Sequence, residues 1–162
     1  MRIHNITKDD MLNGDGLRVV LWLAGCNHGC KGCQNPITHD PDGGAEFMIN
    51  DLAEIYGELE KDWVSGLTIS GGDGLYPKWR HTLELLCRFL KREFPDKTIW
   101  IYTGYDWEQV KHLPIMQYVD VLVDGKFVEE LADVNYKWAG STNQRVIDVK
   151  KSLEKGEIIL WQ

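Results

Sequence analysis

The sequence has no apolar run long enough to cross a membrane: the longest spans residues 19–25, well short of the ~20 residues a spanning helix needs. The opening Met1-Arg2-Ile3-His4-Asn5 lacks the apolar core of a secretory signal. The chain is therefore expected to be cytoplasmic, with no membrane association. Positive charge is also short. Eighteen Lys and Arg stand against 25 Asp and Glu, a formal net charge of -7. Such a surface repels phosphate backbones, so nucleic acid is not an expected partner. The basic residues are scattered, and Lys150-Lys151 is too short a pair to make a basic tail. No internal repeat, low-complexity tract or long linker divides the 162 residues. One domain over residues 1–162 is expected, long enough to bury a core without disulfides or a structural metal.

Cysteine is scarce, with four in the chain. In a compartment that keeps thiols reduced, four cysteines point to metal binding or catalysis more than to disulfides. Three of them fall within residues 26–33, which points the same way.

Strand-like and helix-like segments alternate along the chain. Residues 17–23 form a β-rich apolar run that ends at Gly25, and the cysteine loop follows. Leu52, Ile55, Tyr56, Leu59 and Trp63 recur at helical spacing, with Asn50 as the expected N-cap. Residues 66–70 read as a second strand, closed by Gly71-Gly72. After Pro77 a second amphipathic helix carries Leu83, Leu86, Cys87, Leu90 and Phe94 on one face, and Pro95 stops it. Residues 98–102 and 118–123 read as further strands, ending in Thr103-Gly104 and Asp124-Gly125. A short helix with Trp107, Val110 and Leu113 lies between them, and 158–161 is a candidate terminal strand. This order implies right-handed βαβ units and a mainly parallel α/β sheet. A closed eightfold barrel takes about 250 residues. An open doubly wound sheet and a partial barrel both remain, and in either the ligand sits at the carboxyl ends of the strands. The cysteine loop, Gly71-Gly72-Asp73, Thr103-Gly104 and Asp124-Gly125 all fall there.

The loop reads Gly25-Cys26-Asn27-His28-Gly29-Cys30-Lys31-Gly32-Cys33, a C-x3-C-x2-C spacing. Thiolates are soft ligands that suit iron–sulfur clusters and zinc. Clusters that only carry electrons usually have four cysteines. The fourth here, Cys87, falls on the apolar face of a helix and reads as a small buried hydrophobe. A 4Fe-4S cubane held by Cys26, Cys30 and Cys33 leaves one iron open for a substrate. The competing reading is structural zinc, for which His28 completes a Cys3His set. Its ligands are spaced more tightly than the paired knuckles of a zinc finger.

This loop, placed after a strand, resembles the signature of the radical S-adenosylmethionine superfamily. The resemblance narrows with five further motifs: Asn13-Gly14-Asp15-Gly16-Leu17-Arg18, Ser70-Gly71-Gly72-Asp73-Gly74-Leu75, Trp100-Ile101-Tyr102-Thr103-Gly104-Tyr105, Val123-Asp124-Gly125-Lys126 and Gly140-Ser141-Thr142-Asn143-Gln144-Arg145. They follow one another as in the activating enzymes of anaerobic (class III) ribonucleotide reductases, over nearly the whole chain. The resemblance implies an open partial (β/α) barrel with a mainly parallel sheet. It implies a 4Fe-4S cluster on Cys26, Cys30 and Cys33 whose open iron chelates the methionine moiety of S-adenosyl-L-methionine. Reductive cleavage then yields a 5′-deoxyadenosyl radical, which takes a hydrogen from a glycine of the large reductase subunit. The implied partners are that subunit and a low-potential electron donor such as flavodoxin.

By the same likeness, Gly71, Gly72 and Asp73 meet the methionine amino group, and Gly32, Cys33 and Gln34 lie near the adenine. Asn13 to Gly16 and Asn143 to Arg145 match motifs without an assigned step, reading equally as a turn and a cap over the sheet. Tyr105, Trp107 and Trp138 are candidates for a docking surface, with core packing as the default. The chain departs from the family at Asp15 and Gly74, where proline is usual, and at Gln34, where tyrosine is usual. The alternatives are another substrate, such as pyruvate formate-lyase or a small metabolite, and a zinc-stabilised binding module.

Overall fold

The apolar run at 17–23 is a strand, but a first strand precedes it. The structure, a computed structural model, describes residues 1–162. Strand β1 (Arg2–Asp10) pairs antiparallel with β2 (Leu17–Leu23) and with the two-residue β3 (Ala45–Glu46). Only Ile3 of β1 is fully buried, so its sequence carries little apolar signal. Next come α1 (Ile49–Leu59), β4 (Val64–Gly71), α2 (Arg80–Glu93), β5 (Thr98–Tyr102) and the single-turn α3 (Trp107–Val110). The chain ends with β6 (Val121–Asp124), β7 (Arg145–Asp148) and α4 (Val149–Lys155).

These strands form one open seven-stranded sheet in the order β3-β1-β2-β4-β5-β6-β7. Its centre, β2-β4-β5-β6, is parallel, as the alternating pattern requires. Both margins are antiparallel, and β7 returns against β6. No helix is long and apolar enough to cross a membrane.

Strand side chains alternate between two faces. Val19, Leu21, Leu23, Leu67, Ile69, Ile99, Ile101 and Leu122 join Ile55 and Leu59 of α1 and Leu83, Leu86, Cys87 and Leu90 of α2 in the main core. Each leucine or isoleucine buried there contributes about 1.5–3 kcal/mol. The intervening residues face the other way. Trp100, Val121, Val123 and Val146 form a second cluster, against which Tyr102, Trp138 and Trp161 pack. Trp22, Ser70 and Tyr102, at the carboxyl ends of that second face, line the main cleft.

Several local expectations shift. Helix α1 begins two residues earlier than expected, because the Asp51 carboxylate accepts the Met48 N–H at 2.6 Å. Met48 is the cap, and Asn50 lies in the first turn. Trp63 lies beyond the helix and is 62% exposed. A 3-10 helix, Pro114–Tyr118, delays β6 to Val121. The tail at 158–161 makes only an isolated bridge, Leu160 to Ile147, while β7 and α4 occupy a stretch with no clear periodicity.

Candidate functional site

The cysteine loop is held at its base by backbone bonds. Ala24 N–H donates to Arg2 O at 3.0 Å, Gly25 N–H to Thr38 O at 2.8 Å and Cys26 N–H to His39 O at 3.1 Å. Thr38 and His39 end the 3-10 helix Pro36–Thr38, so the loop closes on its own return. The end of β4 meets it directly: Gly72 N–H donates to Leu23 O and Asp73 N–H to Gly25 O, both at 2.9 Å. A Cβ on Gly72 would lie 2.4 Å from the Gly25 carbonyl oxygen, so only glycine permits this backbone approach.

Above this junction lies a cleft of about 760 Å³. Cys26, Cys30 and Cys33, all half-buried, line it together with Gln34, Gly71 and Gly72. The ends of β5 and β6 contribute Tyr102, Thr103, Gly104 and Gly125, and residues 132–140 form the far wall. The strand ends thus converge on one site, as parallel α/β sheets arrange it. Cys87 lies elsewhere, fully buried in the main core, where burial pushes its thiol up to about 12.

Two expected contacts are arranged differently. Gly32 is outside the lining and packs against Glu129, whose Oε1 would sit 2.7 Å from a Cβ there. Asp73 is 1% exposed and also outside the lining. Its Oδ1 accepts from Leu75 N–H at 2.7 Å and Thr103 Oγ1–H at 2.8 Å, and its Oδ2 is bonded to His28 Nε2. The carboxylate expected to receive an ammonium group is therefore committed to the protein. His28, weighed above as the fourth member of a zinc set, points inward onto this carboxylate. Its ring meets Tyr105 edge-on at 4.7 Å, and Gly104 leaves it room.

The donor set fits a cluster open at one iron. Three thiols line one cleft, and the fourth cysteine lies apart in the main core. Burial raises the Cys26 thiol, while the His28 backbone N–H acts in the opposite sense. Cys33 Sγ accepts from Asn35 N–H at 3.4 Å and contacts His39 Nε2 at 3.2 Å.

Residues 12–147 match the family described as a 4Fe-4S single cluster domain. Proteins named anaerobic ribonucleoside-triphosphate reductase-activating protein resemble the chain over most of its length. The one from Enterobacteria phage T4 is 42% identical over 146 residues, covering 90% of this chain and 93% of its own. That of Haemophilus influenzae is 40% identical over 144 residues, covering 83% and 90%. That of Escherichia coli K12 is 35% identical over 150 residues, covering 90% and 97%. The chain belongs to the anaerobic ribonucleoside-triphosphate reductase-activating protein family.

The departures from that family's motifs acquire physical content. Gly74 N–H donates to Tyr102 O at 2.9 Å, which a proline could not do. At position 15 it is the backbone carbonyl that is used, accepting from Arg18 Nη1 at 3.0 Å. Gln34 lies exposed on the cleft rim, with no aromatic face to offer.

The two motifs without assigned roles also resolve. Asn13 O accepts from Thr68 Oγ1, which in turn accepts from Arg18 Nε, both at 2.7 Å, so 13–16 is a turn braced from beneath the sheet. Gln144 Oε1 accepts from Gly140 N–H at 2.9 Å and Ser141 N–H at 3.1 Å, and its Nε2 donates to Gly125 O at 2.9 Å. Asn143 Nδ2 donates to Lys126 O, and Arg145 Nε donates to Asp124 at 3.0 Å, a partner that raises the guanidinium pKa. This motif fastens the far wall to the end of β6. Trp107 is a core residue, Trp138 lines the cleft, and Tyr105 supports His28. Thr103, expected at the ligand end of its strand without a role, holds the Asp73 carboxylate, while His39 lines the cleft although it follows the loop with no signal of its own.

Proposed function

We propose that this chain activates an anaerobic ribonucleoside-triphosphate reductase as a one-domain radical S-adenosylmethionine enzyme. One observation carries the reading: three half-buried thiols, without a fourth, on the wall of a cleft at the strand ends. The names of the relatives supply the partner. When bound, a 4Fe-4S cluster on Cys26, Cys30 and Cys33 supplies the electron that splits S-adenosyl-L-methionine into methionine and a 5′-deoxyadenosyl radical, which takes a hydrogen atom from a glycine Cα of the reductase.

The chain's own residues bind, orient and shield. Gly71 and Gly72 offer open backbone beside the thiols for the methionine end. Asp73 acts one step back, fixing the loop through His28. Gln34 lies on the adenine side of the rim. The wall at 132–140 limits water around a reactive species, which is the protein's main duty when a cofactor supplies the chemistry. Reduction calls for a low-potential donor such as flavodoxin.

The test is anaerobic reconstitution with iron and sulfide, followed by reduction with S-adenosyl-L-methionine and the partner reductase. The expected products are 5′-deoxyadenosine and a glycyl-radical resonance on the reductase. A colourless chain holding one zinc and no iron, or a loaded chain yielding neither product, overturns the proposal.

A further inference from the structure

We propose that His39 donates a hydrogen bond from Nε2 to Cys33 Sγ and thereby raises the reduction potential of the cluster that Cys33 would hold. The inference rests on the function proposed above. His39 Nε2 lies 3.2 Å from Cys33 Sγ, and the ring lines the cleft. Its backbone is fixed on both sides: the N–H donates to Pro36 O at 3.2 Å, and the carbonyl accepts from Cys26 N–H at 3.1 Å. One residue therefore touches the backbone of the first ligand and the sulfur of the third. Among the three loop thiols, Cys33 is the one that a side chain reaches.

The direction of the proton follows from the sulfur. A cysteine bound to iron is a thiolate, which accepts hydrogen bonds and has no proton to give. The contact is therefore made by a ring whose Nε2 carries hydrogen. An N–H pointed at a ligand sulfur draws negative charge away from it. Reduction adds one negative charge to the cluster, so the bond strengthens in the reduced state and favours it. Hydrogen bonds to sulfur are one of the levers by which proteins set cluster potentials. Asn35 N–H already supplies one such bond to the same atom at 3.4 Å, and His39 adds the second. His39 is a positioning and tuning residue in this sense, with no contact to substrate required.

The experiment is a redox titration of the reconstituted full chain, followed by electron paramagnetic resonance, with iron and sulfide measured in each sample. Wild type is compared with His39→Phe, His39→Leu and His39→Gln. The phenylalanine keeps the ring volume and the leucine does not, so the pair separates packing from hydrogen bonding. In both, the one-electron reduction equilibrium is expected to shift roughly tenfold toward the oxidised cluster, the scale of one charge-assisted hydrogen bond. Tenfold corresponds to about 59 mV for one electron. Glutamine, which keeps an N–H donor, is expected to recover most of the shift. A fully loaded Phe or Leu variant with the wild-type midpoint overturns this inference alone, as does a Gln variant displaced as far as they are. A wild-type chain that assembles no 4Fe-4S cluster overturns the proposed function and this inference with it.

Discussion

His28 Nε2 and the Asp73 carboxylate are hydrogen-bonded across the base of the cysteine loop. His28 sits midway between Cys26 and Cys30, and Asp73 ends the turn after β4. The bond therefore ties the ligand loop to the sheet through a carboxylate that also holds Thr103 at the end of β5. Asp73→Ala leaves the Thr103 hydroxyl, the Leu75 N–H and the His28 ring without their acceptor. The expected cost is about 4–5 kcal/mol of folding stability in urea, the low end for three hydrogen bonds to a charged group at ~1.5–3 kcal/mol each. Iron retained after desalting should fall as well. Unchanged stability with full iron would show that the carboxylate does not hold the loop.

The four cysteines should separate cleanly. Cys26→Ala, Cys30→Ala and Cys33→Ala are each expected to reduce reconstituted iron and sulfide to background, because a cubane already open at one iron tolerates no further loss. Cys87→Ala is expected to keep the full cluster and lose ~1 kcal/mol through the small cavity it leaves. Elemental analysis beside urea denaturation tests both. Loss of the cluster in the Cys87 variant would show that the open-iron assignment is wrong.

Restoring the family's proline at position 74 is expected to harm this chain. Gly74→Pro removes the N–H bonded to Tyr102 O and places a Cβ 2.6 Å from that oxygen and from Ile101 Cγ2. The expected loss is about 2–3 kcal/mol, read by denaturation. A variant as stable as wild type would mean that the neighbouring strand end adapts to the ring.

Arg18 is fully buried, and no carboxylate pairs with it. Its five N–H groups reach Thr68 Oγ1, Thr98 Oγ1 and the carbonyls of Asp15, Leu67 and Thr98, at 2.7 to 3.0 Å. Its guanidinium carbon lies 5.2 Å from the centroid of the Trp100 ring. Arg18→Met fills similar space but strands those acceptors, so a loss of about 3 kcal/mol is expected. Loop 13–16 should then exchange its amide hydrogens faster, since Thr68 loses its support. Hydrogen exchange at those residues measures this, and an unaltered rate would show that the turn stands without Arg18.

The parallel centre of the sheet was legible because its strands are buried on both faces and read as apolar runs. Residues 17–23 and 98–102 show this most plainly, with bounds identical to β2 and β5. Strand β1 was not legible, since one of its nine residues is fully buried and the rest are polar or partly exposed. Strand β7 was hidden for another reason. Its four residues contain only two apolar side chains, and the wall-forming segment separates it along the chain from its partner β6. That Cys26, Cys30, Cys33, Gln34 and the glycine pair share one cleft was expected from the cysteine spacing and the motif likeness, and the fold does bring them together. The duty of Asp73 was not legible, because the partners that use up its oxygens lie 45 and 30 residues away along the chain. His39 had no pattern at all, since its meaning depends on the loop folding back on Cys33.

Strand β7 carries a consequence for the order of events during synthesis. All three thiols, the glycine pair and the ends of β4 and β5 are present once residue 104 has been made. The far wall, at 132–140, is fastened by Gln144 and closed when β7 pairs with β6. The three thiols thus stand ready while one side of their cleft is still missing. Connectivity of this kind leaves a wide approach for assembling a bulky inorganic group, and the last fifth of the polypeptide then narrows it.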